Sequence, residues 1–353
     1  MLRAPFPWFG GKSRVAAVVW RAFGDVPNYV EPFAGSLAVL LGRPHAPKIE
    51  TVNDLDCYIA NFWRAVRADP FEVARWCDWP VNEADLSARH QWLVDRVEFR
   101  ERMAVDPDYY DAKIAGWWVW GISCWIGAGW CAAAGRADVS PARQLPHLGN
   151  AGRGVHRKLP HLGNAGRGVH RRLPHLSDAG QGVHRKLLST AGQGVHSRLP
   201  HIGSAGRGEA LVAYFEALAA RLRNVRVACG SWERVVTDSV TWRHGTTGVF
   251  LDPPYDDGEI DYAVGRRIAQ DVAAWAREHG DDERLRIALC GYEGDYDLPG
   301  WTVYAWTAHG GYAGQRKDGS NDNRHRERIW FSPHCLAHER QRDLFAHLTE
   351  AAE

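Results

Sequence analysis

A short buried strand that ends on two prolines constrains this chain more than any other stretch. Residues 248–251 read Gly-Val-Phe-Leu and are followed by Asp252, Pro253, Pro254 and Tyr255. Successive apolar residues predict the end of a buried strand. The prolines stop it, because proline has no N–H to donate to a sheet. A carboxylate and a ring are therefore held at the carboxyl end of a strand, where open α/β sheets place their ligands.

The groups in this stretch suit a planar base that carries an exocyclic amine. Asp252 and the carbonyl oxygen of Pro253 can each accept a hydrogen bond from an amino group. The ring of Tyr255 offers a flat face for stacking. The alternative is an ordinary strand-to-loop turn with an aspartate at the surface, and the motifs elsewhere in the chain have to distinguish the two.

Composition places the chain among reduced, globular proteins. Its seven cysteines are odd in number and form no C-x-x-C pair, and the N-terminal residues lack the apolar run of a signal peptide. We therefore expect a cytoplasmic protein. Residues 114–134 carry no charge over 21 positions, which is long enough to cross a bilayer. Their many glycines and tryptophans instead favour a buried helix followed by a glycine-rich turn, with no membrane contact.

The N-terminal part has the layout of a nucleoside-binding unit. Residues 29–41 predict a strand, a tight turn and a helix, and Gly35 would let the backbone approach a ligand closely. Residues 50–54 predict a second strand that ends in Asp54, a residue placed to bond ribose hydroxyls. The Gly-Gly-Lys-Ser at 10–13 is not a phosphate loop, since it lacks the earlier glycine and a preceding strand.

Helical and extended patterns alternate along most of the chain. Ser13 is a candidate N-cap for the first helix, and Asn82 for a later one. The predicted helices cover 13–23, 61–76, 83–103, 111–126, 209–222 and 265–278. Beyond the strands already described, strands are predicted at 225–229, 285–290, 301–306 and 327–331, and a polar glycine-rich loop at 310–323.

Four motifs in a fixed order carry a family resemblance. Trp-Phe-Gly-Gly-Lys occupies 8–12, Glu-Pro-Phe-Ala-Gly-Ser 31–36, Asn-Asp 53–54 and Asp-Pro-Pro-Tyr 252–255. Together they resemble the Dam-type family of DNA adenine-N6 methyltransferases. The resemblance implies a Rossmann-like class I methyltransferase fold of the α/β class, with a mostly parallel sheet and an antiparallel C-terminal hairpin.

The resemblance also implies a domain order and residue roles. A cofactor-binding half would span 1–64, a target-recognition insert 65–208 and a catalytic half 209–353. The cofactor would be S-adenosylmethionine and the substrate double-stranded DNA, with no metal. Catalysis would fall to Asp252, Pro253, Pro254 and Tyr255. The cofactor-binding residues would be Trp8, Lys12, Phe33, Gly35, Asp54, Ser231, Trp232 and Asp252. The family usually has a second glycine in the first turn, where this chain has Leu37.

A 14-residue unit repeats within the insert. The unit Arg-Gln-Leu-Pro-His-Leu-Gly-Asn-Ala-Gly-Arg-Gly-Val-His begins at Arg143 and recurs from Arg157 and Arg171; a shortened copy starts at Arg185 and a last one at Ser197. Such self-similarity indicates stacked, equivalent units. Fourteen residues are too few for two helices, so we predict a ladder of hairpin-like or solenoid-like turns.

The repeats are strongly basic, unlike the rest of the chain. Residues 143–208 hold eleven Arg and Lys against one acid, Asp178, so this segment carries +10 and the remainder −9. That asymmetry is typical of a nucleic-acid contact surface. The expected DNA-binding residues are Arg153, Arg157, Lys158, Arg167, Arg171, Arg172, Arg185 and Lys186. A disordered low-complexity arm and a zinc site on the eight repeat histidines are the alternatives; the lack of cysteine in the segment disfavours zinc.

Two other functions remain open on sequence grounds. Cytosine-N4 methyltransferases use the same chemistry but commonly carry serine where this chain has Asp252, so adenine is favoured. The chain could also be a DNA-binding protein whose methyltransferase core is inactive, given Leu37. We expect a monomer, and any cognate restriction nuclease would be a separate protein, because no nuclease motif is visible in this sequence.

Overall fold

The structure is a computed structural model that describes residues 2–6, 8, 11–125, 130–131, 208–254, 262–307 and 325–336. Within helix 262–279, side chains are described from residue 267 onward. The predictions for the repeats, for Tyr255 and for the loop at 310–323 therefore lie outside the described residues.

A seven-stranded sheet forms the centre of the described fold. The strands are β1 (Asn28–Glu31), β2 (Ile49–Asp54), β3 (Val225–Cys229), β4 (Thr247–Leu251), β5 (Leu285–Tyr292), β6 (Thr302–Ala305) and β7 (Glu327–Phe331). Their order is β3-β2-β1-β4-β5-β7-β6. Every pairing is parallel except those of β7, which runs antiparallel to both β5 and β6. This arrangement confirms the predicted mostly parallel sheet with an antiparallel C-terminal hairpin.

The strand order reverses between β1 and β4. Starting from β1, the chain builds outward to β2 and β3, and then returns to add β4 and β5 on the other side. Val30 pairs with Val249 across this junction. The carboxyl ends of β1, β2 and β4 consequently meet around one crevice. Ligands of open α/β sheets bind at such a switch point.

Helices cover the sheet and extend beyond it. They are α1 (Ala16–Phe23), α2 (Ala38–Leu41), α3 (Cys57–Ala68), α4 (Pro70–Cys77), α5 (Glu83–Val94), α6 (Val97–Val105), α7 (Ala112–Cys124), α8 (Gly208–Leu222) and α9 (Tyr262–His279). Helices α3, α4, α7 and α8 pack on one another, and α3 also packs on β3. One hydrophobic cluster runs from the sheet into these helices and includes the fully buried Trp20, Trp63 and Trp118.

Three helix predictions need correction. Ser13 is not an N-cap, because it lies inside a 3-10 turn over Lys12–Arg14 and α1 begins only at Ala16. The predicted helix 61–76 is two helices, since Pro70 lacks the N–H that a continuous helix requires; Asp69 caps the second. The predicted helix 83–103 also divides, into α5 and α6. The Asn82 cap is confirmed by its side chain, which accepts a hydrogen bond from the Asp85 N–H at 2.7 Å.

The uncharged helix α7 is a packing element. At Gly121 an added Cβ would lie 1.8 Å from the Trp130 ring, so only glycine permits this close approach. The Trp130 indole donates to the Trp118 carbonyl at 3.0 Å. In the described part of the chain no helix is long and apolar enough to span a membrane. The prediction of a buried helix is confirmed.

A buried charge network connects the two halves of the sheet domain. Glu50 on β2 is 1% exposed and receives Arg43 at 3.0 Å and Arg221, from α8, at 2.6 Å. Arg221 also donates to the Leu40 carbonyl at 3.0 Å. Helix α8 follows the repeats in sequence. This network therefore holds the segment after the repeats against the first two strands.

Candidate active site

Asp252 lies directly after β4 and forms an ion pair with Lys12. The Lys12 Nζ atom is 3.0 Å from the Asp252 Oδ1 atom and 3.7 Å from the Glu327 Oε2 atom, the latter at the start of β7. The side chain of Lys12 is 6% exposed and that of Asp252 18%. The Lys12 amine also lies 5.7 Å from the centre of the Trp306 ring. The Asp252 side chain is therefore partly exposed, whereas its partners Lys12 and Glu327 are buried.

The cluster holds Lys12 in its charged form. Burial alone would lower the pKa of Lys12, but the charges of Asp252, Cys290 and Glu327 together raise its pKa above the ordinary value. The charged ammonium is therefore the favoured form of Lys12 beside these two carboxylates.

Glu31, the last residue of β1, lies behind this cluster as a buried acid. Burial raises the pKa of Glu31 well above its usual range, and the charge of Asp252 adds to the shift. The Tyr29 hydroxyl donates to the Glu31 Oε2 atom at 2.9 Å. The neutral acid is favoured, so the junction of β1 and β4 avoids a further buried negative charge.

The turn after β1 is built around Gly35. Its N–H donates to the Asp54 Oδ2 atom and its carbonyl accepts from the Trp63 indole, each at 2.9 Å. The φ angle is +45°, and an added Cβ would lie 2.5 Å from the Trp8 ring. The backbone at Gly35 therefore makes the expected close approach, and the group that it approaches is the Trp8 ring. This contact fixes the turn at the carboxyl edge of the sheet.

Asp54 is the half-buried acid at the end of β2. One oxygen accepts from Gly35, and the other accepts from the Asp56 N–H at 2.9 Å. Burial, with the negative charge of Asp56, raises the pKa of Asp54 to about 7. Leu55 beside it is 66% exposed. A carboxylate next to an open apolar side chain matches the polar and apolar parts of a nucleoside.

Leu37 adopts the backbone conformation that normally requires glycine. Its φ and ψ are 53° and 30°, in the left-handed region, at the N-terminus of α2. A leucine there costs about 1–2 kcal/mol of strain. The side chain is fully buried in the hydrophobic core, which offsets that cost. Leucine therefore occupies this left-handed position at a small net cost.

Phe33 and Trp232 come together from distant parts of the chain. Their rings are 6.4 Å apart between centroids at an interplanar angle of 27°. The Asn53 amide donates to the carbonyls of Pro32 and Gly230, at 3.0 and 2.9 Å. These bonds fix the segments that follow β1 and β3 against β2. Ser231 is exposed beside Trp232 and hydrogen bonds to Glu233.

The predicted site residues thus form three adjoining groups at one edge of the sheet. Trp8, Gly35 and Asp54 form the turn, Phe33 and Trp232 the aromatic pair with Ser231, and Lys12 and Asp252 the ion pair. Pro253 is buried and Pro254 exposed. Tyr255 and the eight predicted DNA-binding residues, Arg153, Arg157, Lys158, Arg167, Arg171, Arg172, Arg185 and Lys186, lie outside the described residues.

Two residues at the site were not predicted from the sequence. Glu327 and Trp306 come from the C-terminal hairpin, and only the insertion of β7 beside β5 brings them to Lys12. No local pattern gives that strand order. Asn53 was part of a predicted motif, but no site role was assigned to it. Among the described residues, no group of three or more metal-ligating side chains exists.

Residues 8–111 match the family of D12 class N6 adenine-specific DNA methyltransferases. The match covers the N-terminal part of the chain, which is similar to this family. The matched residues contain the Trp8 and Lys12 motif, the turn at Gly35 and the acid Asp54, which confirms the resemblance to the Dam-type family. No curated protein is similar enough to the chain to count as a match.

The match indicates the reaction class, methylation of adenine N6 in DNA. It supports neither alternative, the cytosine-N4 enzyme or the inactive core. Asp252 lies beyond the matched residues. Lys12 lies inside the matched residues, so its ion pair with Asp252 links the two parts of the site.

Proposed function

We propose that this protein transfers a methyl group from S-adenosylmethionine to N6 of an adenine that has been flipped out of double-stranded DNA. The observation that carries the proposal is the position of Asp252 at the switch point of the sheet, bound to Lys12. The nucleoside-type turn of Gly35 and Asp54 lies at the same edge of the sheet. Donor and acceptor sites would therefore adjoin.

The residues around the turn fit the proposed cofactor. Asp54 is a half-buried carboxylate whose oxygens retain lone pairs for ribose hydroxyls. Leu55 offers exposed apolar surface, and Phe33 and Trp232 offer aromatic faces for an adenine ring. We assign cofactor binding to this set together with Trp8, Lys12, Gly35, Ser231 and Asp252.

Asp252 and the Pro253 carbonyl would hold the acceptor amine. When bound, S-adenosylmethionine supplies a methyl group on a positively charged sulfur, which departs as a neutral thioether. The N6 lone pair forms the new N–C bond as the S–C bond breaks, and positive charge develops on N6. Hydrogen bonds from its N–H groups to Asp252 and Pro253 stabilise that charge, and one proton is then lost to solvent. Tyr255 would stack on the base.

Base flipping follows from the depth of the site. In a duplex, adenine N6 is hydrogen bonded to the opposite base and lies inside the stack. Pro253 is buried and Asp252 largely so, and a paired base cannot reach them. Enzymes that act on a base at such a depth extrude it from the helix.

The direct test is Asp252→Ala with methylation of DNA as the readout. We expect a loss of about 100-fold or more in kcat, typical of removing an oriented acceptor in the reacting geometry. Asp297→Ala is the matched control, because Asp297 is an exposed aspartate on the same half of the chain. A wild-type rate for purified, folded Asp252→Ala would refute the proposed role.

We further assign DNA binding to the basic repeats, in the insert 65–208 between the cofactor half 1–64 and the catalytic half 209–353. The support is the uneven charge of the chain: residues 143–208 carry a net charge of +10, and the rest of the chain carries −9. Arginine and lysine bind phosphates and release counterions, so affinity should fall steeply with salt. Deletion of the two copies at 157–184 removes five of the eleven Arg and Lys residues and should flatten the dependence of log K on log salt by several units. An unchanged slope would overturn this assignment.

A further inference from the structure

Glu327 is a buried carboxylate that the proposed reaction does not use. It begins β7, is 4% exposed, and lies 3.7 Å from the Lys12 amine. Its backbone carbonyl accepts from the Trp306 N–H at 3.2 Å, so the hairpin of β6 and β7 fixes its position. Burying a carboxylate costs desolvation free energy. The hydrogen bonds of the strand do not need a carboxylate at this position.

Lys12 is shared between the two carboxylates. It lies closer to Asp252, at 3.0 Å, than to Glu327. With both acids ionised, the three side chains carry one net negative charge. Replacing Glu327 by a neutral residue would remove one negative charge from beside Lys12 and leave Asp252 as the nearer carboxylate.

We propose that Glu327 is a positioning residue that, through Lys12, sets the orientation and the negative charge of Asp252 for the acceptor amine. The inference rests on the proposed function of Asp252. Positive charge develops on N6 as the methyl group arrives, and a net negative cluster beneath Asp252 stabilises that charge. A neutral pair would stabilise it less, because a fully paired carboxylate is a weaker hydrogen-bond acceptor.

Further charged groups that affect Lys12 and Asp252 come from neighbouring strands. Cys290 on β5 acts on Lys12, and Glu31 on β1 is coupled to Asp252. Glu31 does not replace Glu327, because burial favours the neutral form of Glu31. In the described part of the chain, Glu327 is the second carboxylate that lies within 4 Å of the Lys12 amine.

The test compares Glu327→Gln with Glu327→Asp and with Glu293→Gln. Glu293 is an apt control, because it pairs with Arg328 of the same hairpin at 2.7 Å but is 65% exposed. We expect Glu327→Gln to lower kcat about tenfold while KM for DNA changes less than threefold, since the lost charge acts on the transition state. Glu327→Asp should recover most of the rate, and Glu293→Gln should behave as wild type.

A second readout needs no cofactor or DNA. Unfolding by urea would be measured for Glu327→Gln, Lys12→Met and the double variant, all free of ligand. If Glu327 acts through Lys12, its replacement should lower the free energy of unfolding in the wild type and lower it less, or raise it, when Lys12 is absent. Additive effects would overturn the coupling.

Three results would contradict the inference in distinct ways. A wild-type kcat for folded Glu327→Gln, with Asp252→Ala inactive, would overturn the role of Glu327 and leave the proposed function intact. An equal loss in Glu327→Asp and Glu327→Gln would show that charge is not the cause. Full activity of Asp252→Ala would instead overturn the proposed function on which the inference rests.

Discussion

The two sides of the active-site crevice are built by different means. On the cofactor side, the turn at Gly35 and the acid Asp54 are held by hydrogen bonds between backbone groups and side chains that lie less than thirty residues apart. On the acceptor side, Lys12, Asp252 and Glu327 come from three distant parts of the chain and are held by buried charge. The first side depends on local backbone geometry, and the second depends on the completed sheet. Mutations should therefore affect binding on one side and catalysis on the other.

The acceptor side should be the more sensitive to a single change. Lys12→Met would leave Asp252 and Glu327 buried without their shared cation, which costs about 3–5 kcal/mol of folding free energy when one partner of a buried pair is removed. The kcat of any folded fraction should fall about 100-fold, because Asp252 loses its fixed orientation. Urea unfolding and single-turnover methylation would measure both effects. A variant with normal stability and rate would show that the cluster is not needed.

On the cofactor side, a change at Leu37 should cost less folding free energy than Lys12→Met does on the acceptor side. Leu37→Gly relieves about 1 kcal/mol of left-handed strain but removes a fully buried side chain worth about 2–5 kcal/mol, for a net loss of about 2 kcal/mol. Affinity for S-adenosylmethionine, measured by calorimetry, should change less than threefold. A gain of tenfold or more would mean that the leucine obstructs the cofactor, and undetectable binding by the wild type would favour an inactive core.

Asp54 should give cofactor binding a pH dependence. Its pKa is raised to about 7, so the protonated acid predominates below that value and the carboxylate above it. If the carboxylate binds the ribose hydroxyls, affinity should rise about tenfold between pH 6 and pH 8. Asp54→Asn, which cannot ionise, is the control and should show a flat profile.

The same raised pKa has a consequence for the protein without ligand. A folded-state pKa above the unfolded value means that folding binds protons between about pH 4 and pH 7. Asp54 should therefore make the protein less stable as pH rises through that interval, and Asp54→Asn should remove this contribution. Urea unfolding at several pH values would measure the difference. An identical pH dependence in both proteins would contradict the shift.

The same contrast explains what could be predicted from the sequence. The strand end at Asp252, the turn at Gly35 and the acid Asp54 were predictable because prolines, glycines and strand patterns act locally. The final hairpin was also predicted. The position of β7 between β5 and β6, which delivers Glu327 to Lys12, was not, because strand order depends on packing and not on a local pattern. The break at Pro70 was missed although proline is itself a local signal.

The most direct measurement is the identity of the methylated nucleoside. Duplex DNA would be treated with the protein and S-adenosylmethionine that carries a labelled methyl group, then digested to nucleosides and separated. We expect the label in N6-methyl-2′-deoxyadenosine when the wild type or Asp297→Ala is used, and no label there when Asp252→Ala is used. Label in N4-methylcytosine, or equal labelling by Asp252→Ala, would contradict this expectation.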